Sequence, residues 1–392
     1  MIALTAATLF TPLERIEQPL LLVEDGSIVE VSSRERRETP SNSRSVDFGD
    51  GIVAPGFVDI HIHGGAGHDV MEAGAGALPP VERLLAAHGV SSYFPTTVTA
   101  PLDATLSALS RLAGAIEAAD QNRHASTPET GELRARPLGI HLEGPFISHQ
   151  RRGVHPPENL LAPSLAAFDR FWQAARGHIR VLTIAPELPG ALEVIAEAGK
   201  RKVCVSLGHS NADLEAARAG FAAGARHATH TFNAMRPLDH RDPGILGEVL
   251  TDPRLSADII ADGIHLDRVI VQLFLKAKGP EGAVLITDAT AATGMPNGRY
   301  RLGALEVEVK DDKCMVGESL AGSVLTMDRA VRNVMQFAGW DLQQAVRLAT
   351  LNPARVAGLE HSGSLRAGAP ADLVVLSPSG EVRKTIIRGA LH

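Results

Sequence analysis

Cysteine is nearly missing: the 392 residues contain two, Cys204 and Cys314, without CxxC spacing. Two thiols cannot build a disulfide framework, and both are expected to be reduced and buried. Positive charge is in deficit as well, with 38 Lys and Arg against 45 Asp and Glu and a net charge of −7. No basic footprint for nucleic acid follows from such a chain. No window approaches the ~18 uninterrupted apolar residues of a membrane helix, so no membrane partner is expected. The opening MIALTAATLFTPLER lacks a basic start and its short apolar run is broken by threonines. A secretory signal is therefore not expected, and the cytoplasm is the expected compartment. The composition, 44% hydrophobic and 21% charged, excludes disorder, collagen and coiled coil, and its length suffices for one large domain plus a small one.

Histidine is plentiful instead. Its 16 copies include several beside Asp, Glu and Gly at the ends of apolar runs, a placement that points to a metal site.

Both ends of the chain are β-rich. LLLVEDGSIVEV (20–31) places two such runs around Asp25-Gly26, a tight hairpin signal, and Leu373 to Leu376 and Thr385 to Ile387 flank a turn at Ser379-Gly380. One small β-sandwich domain assembled from residues 1–53 and 359–392 is expected. Between them, short apolar strands alternate with helices, the pattern of a parallel sheet with crossover helices. Eight strand candidates stand out: 57–63, 92–98, 138–143, 181–185, 203–208, 228–231, 257–261 and 284–287. Eight such units match a (β/α)8 TIM-type barrel spanning 54–358. A doubly wound sheet would require a GxGxxG fingerprint after its first strand, and Gly64-Gly65-Ala66-Gly67 lacks that spacing. Alternation from Tyr300 to Met315 predicts a hairpin inserted after strand eight.

Barrel active sites lie at the C-terminal strand ends. There the sequence offers His61 and His63, then Glu143, His209, His230, Asp262 with His265, and Asp288. Alternation places His61 and His63 on one face, able to reach one cation or simply to be satisfied by hydrogen bonds. Glu143, His209 and His230 form a second set, one carboxylate and two imidazoles, the composition of a catalytic metal shell with a position open for water. Asp288 suits the base that accepts a proton from an acidified water, or alternatively a partner for a ligand histidine. His155, in a Gly- and Pro-flanked loop, suits a donor to a carbonyl or a surface histidine. The loop after strand six, with Asn233 and Arg241, suits an anion such as phosphate, with His265 assisting; a surface salt bridge is the bland alternative for Arg241.

The strings APGFVDIHIHGG (54–65), LGIHLEGPFIS (138–148), GVHPPE (153–158), LGHSNA (207–212), ATHTFNAM (228–235), ADGIHLD (261–267), ITDATAATG (286–294) and LAGSVLTMDRAVRN (320–333) resemble the N-acetylglucosamine-6-phosphate deacetylases of the amidohydrolase superfamily. The tail GSLRAGAPADLVVL (363–376) looks like the return of such enzymes into their small β domain. The resemblance implies that Glu143, His209 and His230 hold the principal divalent metal, zinc first, with iron, manganese or cobalt as alternatives. It implies Asp288 as general base and then acid, and His155 on the acetamido carbonyl. It further implies Asn233, Ala234, Arg241 and His265 on a phosphosugar, Ser323 near the substrate, and Arg241 serving a neighbouring subunit in a homodimer. Some members lack both histidines of the HxH pair and use one metal. This chain keeps them, which implies room for a second ion at His61 and His63, bridged by Glu143 and touched by Asp288. Superfamily members with a carboxylated bridging lysine need one at the end of strand four, where this chain has Ile184-Ala185-Pro186-Glu187. The expected activity is removal of acetyl from N-acetylglucosamine 6-phosphate. The alternatives are a deacetylase of unphosphorylated amino sugars, a cyclic amidase on the same framework, or a non-catalytic scaffold, which the complete ligand set disfavours.

Overall fold

The computed structural model describes residues 1–72, 76–121 and 132–391. Eight parallel strands organise its centre: β1 Phe57–Ile62, β2 Val90–Thr97, β3 Ile140–Glu143, β4 Ile179–Ile184, β5 Cys204–Leu207, β6 His227–Ala228, β7 Ala257–Ile260 and β8 Ala283–Ile286. Each overlaps one of the apolar runs in the sequence. Strands β1 to β6 pair in chain order as one curled sheet, and β7 pairs with β8. Between β6 and β7, Ala228 N–H donates to the Ser256 carbonyl at 3.1 Å and Thr231 N–H to that of Asp258 at 2.8 Å. Between β8 and β1, His63 N–H donates to the Ala289 carbonyl at 2.8 Å.

Every residue of β1 and β2 is buried, as expected of strands covered on both faces. The cover comes from α1 Leu78–Ala87, α2 Leu102–Gln121, α3 Leu165–Ala174, α4 Ala191–Lys200, α5 Leu214–Ala223, α6 Gly244–Thr251, α7 Arg268–Gly282 and α8 Met327–Ala338. Helix α2 turns Leu109, Leu112 and Ile116 inward, and α8 turns Met327, Val331 and Val334, at the helical spacing read from the sequence. Side-chain caps start three of these helices: Ser164 accepts from Ala167 N–H, Asp213 from Ala216 N–H and Asp267 from Val269 N–H.

Strands from both chain ends form two further sheets. One orders Ser27–Ser33, Pro19–Glu24, Ile2–Thr5 and Arg44–Asp47; the other orders Val382–Ile386, Leu373–Leu376, Ile52–Pro55, Thr8–Phe10 and Arg15–Glu17. Leu4, Leu21 and Val23 of the first share a core with Leu9, Val53, Leu373 and Val375 of the second. The expected tight turn is present, with Asp25 at φ 49° and Gly26 at φ 75°. The insertion after β8 is larger than a hairpin: Gly298–Leu302, Leu305–Lys310, Lys313–Val316 and Ser319–Leu320 make four antiparallel strands. Both cysteines are unpaired; Cys314 is buried, while Cys204 is only partly so by surface area. No described helix is long and apolar enough to cross a membrane.

Candidate active site

The strand ends converge on Glu143, the last residue of β3. Its Oε1 lies 3.4 Å from His61 Nε2, 3.3 Å from His209 Nε2 and 3.1 Å from His230 Nε2. Its Oε2 lies 3.3 Å from His63 Nε2 and 3.7 Å from His155 Nε2. Asp288 faces the same space, with Oδ1 3.5 Å from His61 Nε2 and 3.2 Å from His63 Nε2. All seven side chains are buried. Two triads stand out, His61 with His63 and Asp288, and Glu143 with His155 and His209, the donor atoms of each lying within 4.8 Å of one another.

Several of these residues hold backbone conformations that L-amino acids seldom adopt. His209 has φ 47°, His230 φ 29°, Ala234 φ 51° and Asp288 φ 51°. Such left-handed residues concentrate where a chain must turn a side chain back into a pocket. His230 consequently lies in a turn two residues beyond β6, rather than within the strand as the sequence pattern suggested.

Second contacts fix the rings. His63 Nδ1–H donates to the Thr96 carbonyl at 3.0 Å and His209 Nδ1–H to the Arg151 carbonyl at 3.0 Å, so both Nε2 lone pairs aim at the centre. Lone pairs facing carboxylate oxygens repel unless positive charge lies between them. The Nε2 atoms of His209 and His230 are 3.0 Å apart, and those of His61 and His63 are 3.3 Å apart. Ligand nitrogens about 2.0–2.1 Å from one ion in a tetrahedron lie roughly 3.3 Å from each other. The donor set therefore fits a divalent cation in both chemistry and spacing.

The electrostatics agree. Burial raises the Glu143 carboxyl, yet His61, His155 and the other imidazoles outweigh it and hold it well below its usual range. Asp288, also pushed up by burial, is pulled down to about 2 by His61 and His63. His230 rises to about 9 because Glu143 overcomes the opposing effect of burial, and His63 likewise rises through Asp288 and Glu143. His209 falls to about 4, with burial the chief cause. Two carboxylates thus demand positive charge that a bound cation would supply.

Other residues singled out in the sequence surround this centre less closely. Ser323 lies beside Asp288, its N–H donating to the Asp288 carbonyl at 2.7 Å, but its hydroxyl is engaged with the Thr287 carbonyl at 2.5 Å. Asn233 Nδ2 donates to the His230 carbonyl at 3.2 Å, and the Ala234 carbonyl accepts from Ser210 N–H at 3.1 Å. His265 donates through Nδ1 to Asp262 Oδ2 at 2.7 Å, which leaves its Nε2 available. Arg241 stands apart: it is exposed, and its guanidinium has no ion pair among the described residues. The sequence reading overlooked Asp59 and His141. Asp59 accepts from His61 N–H at 3.3 Å and Thr287 Oγ1–H at 2.5 Å, while His141 donates to the Ile60 carbonyl at 3.0 Å and contacts Thr183 Oγ1 at 2.7 Å. Each lies two residues before a central residue on the same strand face, and that alternation was the available signal.

A cluster of imidazoles and carboxylates at the C-terminal ends of a curled parallel sheet defines the class of metal-assisted hydrolases. The chain belongs to the amidohydrolase family, whose sequence pattern matches residues 52–391. It is 41% identical over 372 residues to the N-acetylglucosamine-6-phosphate deacetylase of Bos taurus, covering 91% of this chain and 87% of that protein. It is also 38% identical over 342 residues to the N-acetylgalactosamine-6-phosphate deacetylase of Escherichia coli O157:H7, with 87% of each covered. Among solved structures, a mutant N-acetyl-D-glucosamine-6-phosphate deacetylase from Mycobacterium smegmatis in complex with N-acetyl-D-glucosamine-6-phosphate superposes with a TM-score of 0.90 at 36% identity, covering 99% of this chain and 98% of that one.

Proposed function

We propose that this chain removes the acetyl group from N-acetyl-D-glucosamine 6-phosphate, giving D-glucosamine 6-phosphate and acetate. The observation that carries the reading is the single buried space shared by Glu143, Asp288 and five imidazoles, in a chain whose relatives at up to 41% identity are deacetylases of amino-sugar 6-phosphates.

Glu143, His209 and His230 would hold the principal divalent cation, zinc by preference, with His61 and His63 available to a second one sharing Glu143. A cation there would supply Lewis-acid polarisation and water acidified to a pKa of about 7. Asp288, ionised and beside the imidazoles, accepts the proton of the attacking water and returns it to the departing sugar nitrogen. His155 donates to the acetyl oxygen as negative charge develops there. Asn233, Ala234 and His265 line the sugar phosphate side with Ser323 nearby, and Arg241 neutralises the phosphate, reaching it from the neighbouring subunit of a homodimer. Arg241 is exposed and has no ion pair among the described residues, which favours that arrangement over an internal salt bridge. In this reading the curled sheet and the β7–β8 pair together make one (β/α)8 barrel over 54–358. Residues 1–53 and 359–392 make the small β-sandwich domain, and the enzyme works in the cytoplasm.

The test is acetate release by the metal-supplemented protein on N-acetylglucosamine 6-phosphate and on N-acetylglucosamine. A kcat/KM preference of about 10² or more for the phosphosugar is expected, since each charged hydrogen bond is worth about 1.5–3 kcal/mol. Equal rates would discard the phosphate contacts, and no release from either would overturn the reading.

A further inference from the structure

Five imidazoles face Glu143, and one of them is wired in the opposite sense. His63 and His209 donate through Nδ1 to the carbonyls of Thr96 and Arg151. At His155 the same ring nitrogen meets donors instead: the backbone N–H of Thr99 points at Nδ1 from 3.2 Å, and Thr99 Oγ1 lies 2.7 Å from it. A backbone N–H has no lone pair and can only donate. Nδ1 of His155 is therefore the acceptor, and the ring proton of the neutral imidazole resides on Nε2, the nitrogen that faces the site 3.7 Å from Glu143 Oε2.

We propose that Thr99 is a positioning residue that holds His155 in the Nε2–H form, making His155 a hydrogen-bond donor to the substrate and withholding it from the metal. This rests on the functional reading above and deepens it. A protonated Nε2 has no lone pair for a cation, so the proximity of His155 to Glu143 and His209 does not make it a ligand. The hydroxyl of Thr99 can give Nδ1 a second donor, which favours the ring proton on Nε2 and strengthens that N–H as a donor. The site is built around the contact. Thr99 and His155 are both 3% exposed, and the His155 ring packs edge-on against His209 at 4.6 Å between centroids. Gly144 makes room: a Cβ there would come within 2.3 Å of Thr99 Oγ1, and its φ of +72° suits glycine.

The decisive measurement is nitrogen NMR of the histidine rings in the zinc-loaded protein, with His155 assigned by its absence from His155→Gln. The expected result is a protonated Nε2 and an unprotonated Nδ1 at His155; a proton on Nδ1 overturns the proposal. Because this readout needs no turnover, it stands or falls separately from the reaction, which acetate release tests. Kinetics supply the second arm. Thr99→Val, keeping shape but losing the hydroxyl donor, should lower kcat about 3- to 10-fold with KM and zinc content little changed, and Thr99→Ser should recover most of the loss. Unchanged kcat in Thr99→Val, or a loss that tracks loss of zinc, would show that the hydroxyl does not act through His155.

Discussion

The backbone N–H of Asp288 donates to the carbonyl of His61 at 2.9 Å, joining the end of the last central strand to the first. That bond, with Asp288 at φ 51°, sets the carboxylate 3.2 Å from His63 and 3.5 Å from His61. The position of the proposed base is thus determined by main chain, and an isosteric change can remove its chemistry without moving it.

Asp288→Asn should accordingly retain metal and phosphosugar binding while kcat falls by about 10² to 10⁴, the usual range for losing a general acid–base. Steady-state kinetics with metal analysis of the same sample checks this. Near-normal turnover would remove Asp288 from the proposed proton transfer.

Glu143 lies within reach of all five imidazoles. Glu143→Gln removes the charge that opposes a cation's desolvation, so the purified variant should carry well under half of the wild-type metal. The wild-type protein should also lose thermal stability on chelation and regain it with zinc. A ligand at 100 times its Kd contributes about 2.7 kcal/mol to the folded state. Metal analysis and melting curves with and without chelator test both; a variant with full metal would contradict the ligand assignment.

Acid stability should depend on Asp328 and its two partners. Asp328 of α8 is 2.8 Å from Arg332 and 3.0 Å from His88. Burial raises its carboxyl, but hydrogen bonds from His88, Thr326 and Arg332 and the charge of His88 depress it below the usual range. A depressed folded-state pKa stabilises the protein above the unfolded value, about 3.9, and that stability is lost as pH falls through the folded one. With both partners about a third exposed, screening limits the expected cost of Asp328→Asn to about 1–2 kcal/mol near neutrality. Urea titrations run downward from pH 5 should show the gap between variant and wild type shrinking below pH 4.

The chemistry at the strand ends was readable in advance, whereas the turns that aim His209, His230 and Asp288 into the pocket were not, and the alternation at Asp59 and His141 went unread. His61, His63 and Glu143 end apolar strands, so period two puts them in the pocket. His230 had the right chemistry but the wrong local structure, because β6 is only two residues long and Thr231 N–H leaves it to bond the Asp258 carbonyl. The resemblance implied Ser323 near the substrate, but neither its place beside Asp288 nor its hydroxyl's commitment to Thr287, a contact across 36 residues, could be read from the sequence. Thr99 gave no signal at all, since only the fold brings its N–H to a ring 56 positions away.

Arg241 raises a question that hybrid enzymes answer. It is exposed in the loop before α6 and has no ion pair among the described residues, so its guanidinium is available to another subunit. If it serves the neighbouring site, Arg241→Ala should lower kcat/KM for the phosphosugar by about 10-fold or more and leave the unphosphorylated sugar almost unaffected. Mixing and re-pairing that variant with inactive Asp288→Asn then creates one intact site per hybrid dimer, with Asp288 from one subunit and Arg241 from the other. At equal amounts half the dimers are hybrids, so activity should recover to about a quarter of wild type. If Arg241 instead serves its own subunit, each hybrid site lacks one of the two groups and mixing yields no gain. The same experiment thus tests the dimer and the direction of the contact together.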